Sequence, residues 1–189
     1  AATSYVAFVG TAQVGWIVLA ILPLGFTGTL FMAGALFVIE LLGPIVSEAK
    51  GAKHGGGMTP WHAHHIAERY ALLAIIALGE TVFGTLAAAQ TISEKQGWSW
   101  DAIIVISAGI AMSFALWWSY FLVPHADMLH ARRDKAFPWG YGHIILFGAI
   151  AAVGAGLHVV GYAYDPHYHV DTLTVVLSIA IPVLLFMIT

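Results

Sequence analysis

Cysteine is absent from the 189 residues, and only 9% of them are Asp, Glu, Lys or Arg. Without cysteine the chain has no disulfide, no thiol nucleophile and no cysteine-ligated zinc. A soluble domain has about 25% charged residues, whereas 60% of this chain is hydrophobic. The net charge of −3 and the lack of a basic stripe exclude nucleic acid as a predicted partner. Composition therefore predicts a membrane protein whose surroundings are the lipid bilayer.

Six apolar segments follow one another along the chain, each near the roughly 20 residues that a helix needs to cross a bilayer. Lipid admits only helices and closed barrels, and uninterrupted apolar runs this long are not barrel strands. The predicted fold is therefore all-α, a polytopic transmembrane helical bundle that forms a single domain over residues 1–189 and is part of a longer protein. Ser99 or Asp101 is expected to cap the fourth helix. The predicted helices cover residues 5–24, 26–46, 61–90, 100–123, 139–162 and 170–189.

Lys and Arg in short loops predict the orientation of the bundle, because they favour the cytoplasmic side. They are concentrated in the predicted loops 47–60 and 124–138, whereas Lys95 is alone in the loop between them. We therefore expect a multi-pass protein of the cell inner (plasma) membrane with loops 47–60 and 124–138 in the cytoplasm. Tryptophans at predicted helix ends, Trp139 among them, indicate an interfacial belt with no chemical role.

The third predicted helix carries a charge near each end of its apolar run. Ionisable groups within a bilayer are costly and often mark a functional site. Arg69 and Glu80 share one stripe of the helix but lie roughly 16 Å apart at about 1.5 Å per residue. Each therefore needs a partner on another helix, and we expect both to face inward. The expected partners are Glu40 of the second helix for Arg69, and His158 of the fifth for Glu80.

A group of titratable side chains is predicted near the cytoplasmic face. Imidazole and carboxylate groups bind zinc, iron and manganese, and histidine exchanges protons near neutral pH. His64 and Glu68 lie four residues apart, so one helix face could present both to a divalent metal. Solvated interfacial histidines, proton or ion handling and a metal site all remain open. The candidate metal ligands are His62, His64, His65, Glu68, His125, His130 and His143.

Four motifs carry a resemblance to a known family. They are HIAERY at 65–70, IIALGE at 75–80, WWSYF at 117–121 and WGYGH at 139–143. In this order they resemble the bacterial low-temperature-requirement A family of polytopic membrane proteins, and the chain resembles the C-terminal half of such a protein. The resemblance implies a membrane bundle but no established substrate or reaction.

Transport is the favoured function, because separated charges along one helix suit a path better than a single site. The predicted transporter would move ions or protons between the third, fourth and fifth helices. Glu68 and Arg69 would form its inner gate, and Glu80 with His158 its outer site. One alternative is a non-catalytic subunit held in a homo-oligomer or a larger membrane complex. The other, less favoured, is a metal- or cofactor-dependent membrane enzyme.

Small residues predict where the fifth helix packs. Gly148, Ala151, Ala152, Ala155 and Gly156 recur at helical spacing, and small residues let helices in a membrane approach closely. We interpret this face as ordinary bundle packing and not as a pore.

Overall fold

A computed structural model of the chain describes residues 2–53 and 60–189. Within these residues all regular structure is helical and no strand occurs, which confirms the all-α fold. Five segments of the described chain are long and apolar enough to cross a membrane, and a further apolar helix has 17 residues. The predicted helical membrane bundle is thus confirmed. The helices are α1 (Ala2–Ile21), α2 (Phe26–Lys53), α3 (Ala63–Gln96), α4 (Trp100–Phe121), α5 (His125–Ala131), α6 (Ala136–Tyr162) and α7 (Thr172–Ile188), with a 3-10 turn at Arg133–Lys135.

The chain divides into two compact units, Ala1–Trp61 and His62–Thr189. A single domain over residues 1–189 stays a prediction. The first unit contains α1 and α2, which run antiparallel, since a residue near the start of α1 bonds to one near the end of α2 (Tyr5 Oη to Glu48 Oε1, 2.9 Å). The side chain of Leu36 lies against Gly15, so a glycine on α1 allows the two helices to pack closely.

The second unit is organised around α3 and α6. Helix α3 packs against α4, α5 and α6, and α7 packs against α6. A Cβ atom added to Gly84 would collide with the backbone of Gly154, and one added to Gly154 would collide with the backbone of Glu80. The backbones of α3 and α6 are therefore in direct contact, as small residues permit. The core of the unit consists of Ala74, Leu78, Leu116, Tyr120, Leu146, Ala149, Ile150, Val153, Leu157 and Phe186.

Helix α6 corresponds to the fifth helix predicted from the sequence. The face with which it makes these contacts differs from the predicted face. Gly154, Gly156 and Gly161 have no room for a side chain, because the backbones of neighbouring helices lie against them. By contrast, Gly148 has no atom of another residue near its missing Cβ, and Ala155 is exposed. Small residues of α6 do pack against neighbouring helices, as predicted. Two of the five predicted residues, Gly148 and Ala155, lie outside this contact.

Hydroxyl groups join α3 to α4. Thr81 Oγ1 and Ser113 Oγ lie 2.6 Å apart, and the side chain of Thr85 fills the space that a Cβ on Gly109 would need. Polar groups of this kind hold helices together in lipid by about 1 kcal/mol or less. We assign this contact a structural role.

Helices α2 and α3 continue past their predicted C-terminal ends. Helix α2 continues through Pro44 to Lys53, since the residues after the predicted end at 46 include the helix formers Glu48, Ala49 and Lys50. Helix α3 continues to Gln96, and Gln90 Nε2 bonds to Glu94 Oε1 one turn later at 2.8 Å. The predicted loop 47–60 is thus partly helical. Its residues 54–59 lie outside the described residues.

The predicted loop 124–138 is also largely helical. It contains α5, the 3-10 turn and the first residues of α6. Helix α5 follows Pro124, which suits a helix start because its φ angle is fixed, and it buries Leu129. Helix α1 ends at Ile21, ahead of the predicted end at 24, because Pro23 disfavours the helical conformation of the residue before it.

Candidate functional site

Aromatic rings from four helices of the second unit meet where α4 ends and α6 begins. Tyr70 comes from α3, Tyr120 from α4, His125 from α5, and Trp139 and His143 from α6. We call these five residues the histidine–tyrosine cluster. Its tightest ring pair is Trp139 with His143, with centroids 4.2 Å apart, and the two histidine rings are 5.4 Å apart.

His143 is held by hydrogen bonds at both ring nitrogens. It is only 4% exposed. Its Nδ1 lies 2.8 Å from the carbonyl oxygen of Trp139, and its Nε2 lies 3.3 Å from the hydroxyl of Tyr120. A carbonyl oxygen can only accept, so Nδ1 carries the hydrogen, and Nε2 of the neutral ring accepts from the Tyr120 hydroxyl.

His125 has the opposite arrangement. The indole Nε1–H of Trp139 donates to Nδ1 of His125 at 3.4 Å. Because an indole N–H cannot accept, Nδ1 is unprotonated and the ring hydrogen is on Nε2. This Nε2 atom is buried and has no hydrogen-bond partner among the described residues. His125 therefore has a buried donor that no described residue satisfies.

Tyr70 is the member of the cluster that α3 contributes. Its ring centroid lies 4.7 Å from that of Trp139 and 4.9 Å from that of His143, the latter in an edge-on arrangement. A Cβ on Gly140 would lie 2.9 Å from the Tyr70 hydroxyl oxygen. The glycine of the WGYGH motif thus makes room for the tyrosine of the HIAERY motif.

A cavity of about 390 Å³ adjoins the cluster. His125, His143, Tyr120 and Trp139 line it, together with Ser119 and apolar side chains of α6 and α7. None of the described lining residues is Asp, Glu, Lys or Arg. The remaining lining residues are Val123, Met128, Pro138, Gly142, Leu146, Phe186, Met187 and Thr189.

Of the seven predicted metal ligands, the structure brings His125 and His143 together in the cluster. The rings of His62 and His64 lie 5.7 Å apart at the start of α3, and both side chains are exposed. Within residues 2–53 and 60–189, no three His, Cys, Asp or Glu side chains form a group that could hold a metal ion. A divalent metal at the cytoplasmic histidines stays a prediction. His65, Glu68 and His130 are exposed.

Arg69 and Glu80 do not face inward as expected. Both side chains are exposed, and so is His158. The face of α3 that packs on α6 consists of small residues such as Ala74 and Gly84, and a long charged side chain would keep the two backbones apart. The backbone of Glu80 lies against Gly154 at this contact, but the side chains of Arg69 and Glu80 remain exposed.

The expected pairing of Glu80 with His158 is not found. Neither side chain forms an ion pair or a hydrogen bond with the other, and His158 lies against Tyr162 with ring centroids 5.0 Å apart. Among the described residues, Glu80 has no hydrogen-bond or ion-pair partner.

Glu40 is held within the first unit. Its Oε1 accepts hydrogen bonds from Trp16 Nε1 at 3.1 Å and from Gln13 Nε2 at 3.3 Å. These donors satisfy a carboxylate in the middle of an apolar helix. Glu40 belongs to the first unit and Arg69 to the second, and their predicted pairing stays a prediction.

Sequence reasoning missed three members of the cluster. Trp139 was assigned to an interfacial belt, and Tyr70 and Tyr120 were given no role. The available signal was their position, because all three lie inside the motifs that carry the family resemblance (65–70, 117–121 and 139–143).

These features define an integral, multi-pass membrane protein of helical type, with a polar cluster enclosed in its larger unit. The chain belongs to the family described as Bacterial low temperature requirement A protein (LtrA), whose model matches residues 1–189. The family resemblance seen in the four motifs is thereby confirmed. Neither curated proteins nor solved structures gave a match to this chain.

Proposed function

We propose that this protein is a proton-translocating transporter of the inner membrane, with loops 47–60 and 124–138 in the cytoplasm. The observation that carries the proposal is His143, a buried histidine hydrogen-bonded to Tyr120 beside a cavity. The cluster lies among α3, α4 and α6. These are the third, fourth and fifth helices of the sequence prediction, between which the pathway was expected. It replaces Glu68 and Arg69 as our candidate for the inner site, because those two side chains are exposed.

Proton uptake at His143 would reverse one hydrogen bond. In the neutral ring Nε2 accepts from the Tyr120 hydroxyl, and Nδ1–H donates to the Trp139 carbonyl oxygen. A proton added at Nε2 makes this nitrogen a donor, so the Tyr120 oxygen must accept and its hydrogen must turn to another acceptor. Protonation of His143 is thereby coupled to the orientation of a hydroxyl group at the wall of the cavity.

Flux in reconstituted vesicles tests this proposal. Proteoliposomes with a trapped pH-sensitive dye receive a potassium diffusion potential, and the internal pH is followed. The wild type should conduct protons faster than protein-free vesicles, and His143→Gln should fall to the protein-free rate, since an amide cannot take up the proton. A matched control is His169→Gln, which changes an exposed histidine outside the cluster. Wild-type flux at the protein-free rate, or unchanged flux in His143→Gln, would refute the proposal.

A second candidate is a non-catalytic subunit of a larger membrane assembly. The exposure of Glu80 favours it, since a carboxyl group within a membrane-spanning helix is costly without a partner. This candidate predicts that the protein purifies in mild detergent with stoichiometric partners or as a homo-oligomer. A monomer in mild detergent, measured by light scattering, would argue against it.

A further inference from the structure

The cavity beside the histidine–tyrosine cluster lies among helix ends. Two of its lining residues, His125 and Met128, belong to the segment 124–138. A Cβ atom on Gly142 would lie 3.9 Å from Cγ2 of Thr189, so the end of α7 lies against the first turns of α6. The cavity therefore borders the segment that the proposed function places in the cytoplasm.

Polar groups in the lining suit water. Ser119 is half-buried, and its hydroxyl group has no hydrogen-bond partner among the described residues. Tyr120 and His143 also belong to the lining. A purely apolar cavity stays dry, whereas polar partners hold water in a cavity. The volume of about 390 Å³ has room for several water molecules, since each takes about 30 Å³ in the liquid.

The charge of the lining limits what can pass. None of the described lining residues is Asp, Glu, Lys or Arg, and the titratable ones are Tyr120, His125 and His143. An ion that gave up its water there would have no fixed counter-ion to offset the loss. A proton, by contrast, can move along a chain of water molecules. The lining therefore suits water and protons better than a dehydrated ion.

We infer that this cavity is a water-filled entrance through which His143 exchanges protons with the cytoplasmic side. Histidines within membrane-spanning segments often face a watery cavity and mark a proton pathway. His143 and its hydrogen-bond partner Tyr120 both line this cavity. The inference rests on the proposed function, to which it adds the route of the proton and the side from which it arrives.

Introduced cysteines test whether the cavity contains water, because the chain has no cysteine of its own. Methanethiosulfonates react with the thiolate, which forms where water reaches the thiol and not in apolar surroundings. Ser119→Cys places a thiol in the cavity lining. The matched control Ser107→Cys makes the same change at an exposed position on the same helix, outside the cavity.

The rates of modification decide between a watery and a dry cavity. Ser119→Cys should react at least about tenfold faster than Ser107→Cys, whose thiol faces lipid. Unreacted thiols are counted after denaturation by the gel shift that a maleimide-linked polymer produces. Val123→Cys supplies a second lining position in case Ser119→Cys does not fold. Equal rates at lining and control positions would refute the water-filled entrance.

The side of entry is tested with a reagent that does not cross the membrane, the anionic 2-sulfonatoethyl methanethiosulfonate. In inverted vesicles from expressing cells it reaches the cytoplasmic face, and in right-side-out vesicles it reaches the opposite face. Ser119→Cys should react in inverted vesicles only. Gln96→Cys, at the exposed end of α3, should react in right-side-out vesicles only. Reaction of Ser119→Cys from the outer face would refute the cytoplasmic entrance.

Proton flux separates this inference from the proposed function. Ser119→Cys is modified completely in detergent, reconstituted, and compared with an unmodified sample of the same variant. The flux should fall towards the protein-free rate, because the added group occupies the entrance. Unchanged flux after modification, with flux still dependent on His143, would refute the entrance and leave the proposed function intact. Absence of flux in the wild type would overturn both, even if the thiol rates show water in the cavity.

Discussion

The hydroxyl oxygen of Tyr120 on α4 lies 3.3 Å from Nε2 of His143 on α6. This hydrogen bond joins two of the motifs that carry the family resemblance, WWSYF and WGYGH. Both side chains are buried, so the loss of either partner leaves the other unsatisfied. The relationship makes the cluster both a structural contact and the candidate site of proton uptake.

Replacing Tyr120 with Phe should therefore destabilise the second unit. The change removes the donor to His143 and leaves its Nε2 without a protein partner, which should cost about 1 kcal/mol. The free energy of unfolding is measured by titration with denaturing detergent and followed by circular dichroism. Tyr168→Phe is the matched control, because Tyr168 is exposed, and its effect should stay within about 0.5 kcal/mol. Equal stability of the two variants would contradict the hydrogen bond.

Substitutions at two glycines of α6 test the contact between α3 and α6. Gly154→Ala places a methyl group against the backbone of Glu80, so the helices must separate. We expect a loss of about 1–3 kcal/mol in the free energy of unfolding. Gly148→Ala is the control on the same helix, where the new methyl group meets open space. It should be neutral or should stabilise the protein by up to about 1 kcal/mol, since alanine is the better helix former.

Comparing the stabilities of the two variants tests whether the backbones of α3 and α6 meet at Gly154. If Gly148→Ala destabilised the protein as much as Gly154→Ala does, the close approach of the two backbones at Gly154 would be wrong.

Much of the fold could be predicted from the sequence, because bilayer thickness sets the length of each apolar run and Pro or Gly ends it. The start of α4 is one case, since Ser99 caps it by accepting from the backbone N–H of Ala102 at 3.4 Å. Polar helical extensions could not be predicted, since bilayer thickness limits only the apolar part of a helix. Helix α3 continues six residues past the predicted end at 90 before it meets Gly97, whose positive φ angle of 72° ends it.

The candidate site was only partly predictable. The alternation of loops placed His125 and His143 at one end of the bundle, and in the structure their ring centroids lie 5.4 Å apart. Their partners Tyr120 and Tyr70 could not be assigned, because a side chain's facing neighbour depends on helix rotation. The inward orientation expected for Glu80 was wrong for the same reason: its backbone lies against Gly154, yet its side chain is exposed.

Acid should weaken the contact between the end of α3 and the segment that follows α6. Asp165 Oδ1 accepts from the backbone N–H of His167 at 3.0 Å and from its Nδ1 at 2.9 Å, and it lies 3.1 Å from Nζ of Lys95. The His167 hydrogen bonds, and then Lys95, lower the pKa of Asp165 from 3.8 to about 2. The lowered pKa means that the carboxylate stabilises the fold above about pH 4, and that this contribution is lost as the pH falls towards about 2.

The melting temperatures of the wild type and Asp165→Asn, compared across this range, test the claim. Their difference should be constant above about pH 5 and should shrink as the pH falls from about 4 to 2. Asp101→Asn provides a control at an exposed aspartate in the first turn of α4. A difference that does not change with pH would contradict the ionised contact at Asp165.

Glu80 distinguishes the two candidate functions. If the outer part of the proton path uses this carboxyl group, Glu80→Gln should abolish pH-dependent flux in the vesicle assay, because an amide does not titrate. Asp101→Asn again serves as the control for the loss of one negative charge. Unaltered flux would exclude Glu80 from the path. Co-purification with stoichiometric partners, unchanged by the substitution, would then favour the accessory subunit.

The most direct test of the account measures where the hydrogens lie on His125 and His143. Nitrogen NMR of histidine-labelled protein in bilayers, with signals assigned from the spectra of His125→Gln and His143→Gln, reports the tautomer of each ring. At a pH where both rings are neutral, we expect the hydrogen on Nδ1 of His143 and on Nε2 of His125. The same tautomer on both rings would contradict the hydrogen-bonded cluster, and with it the proposed proton site.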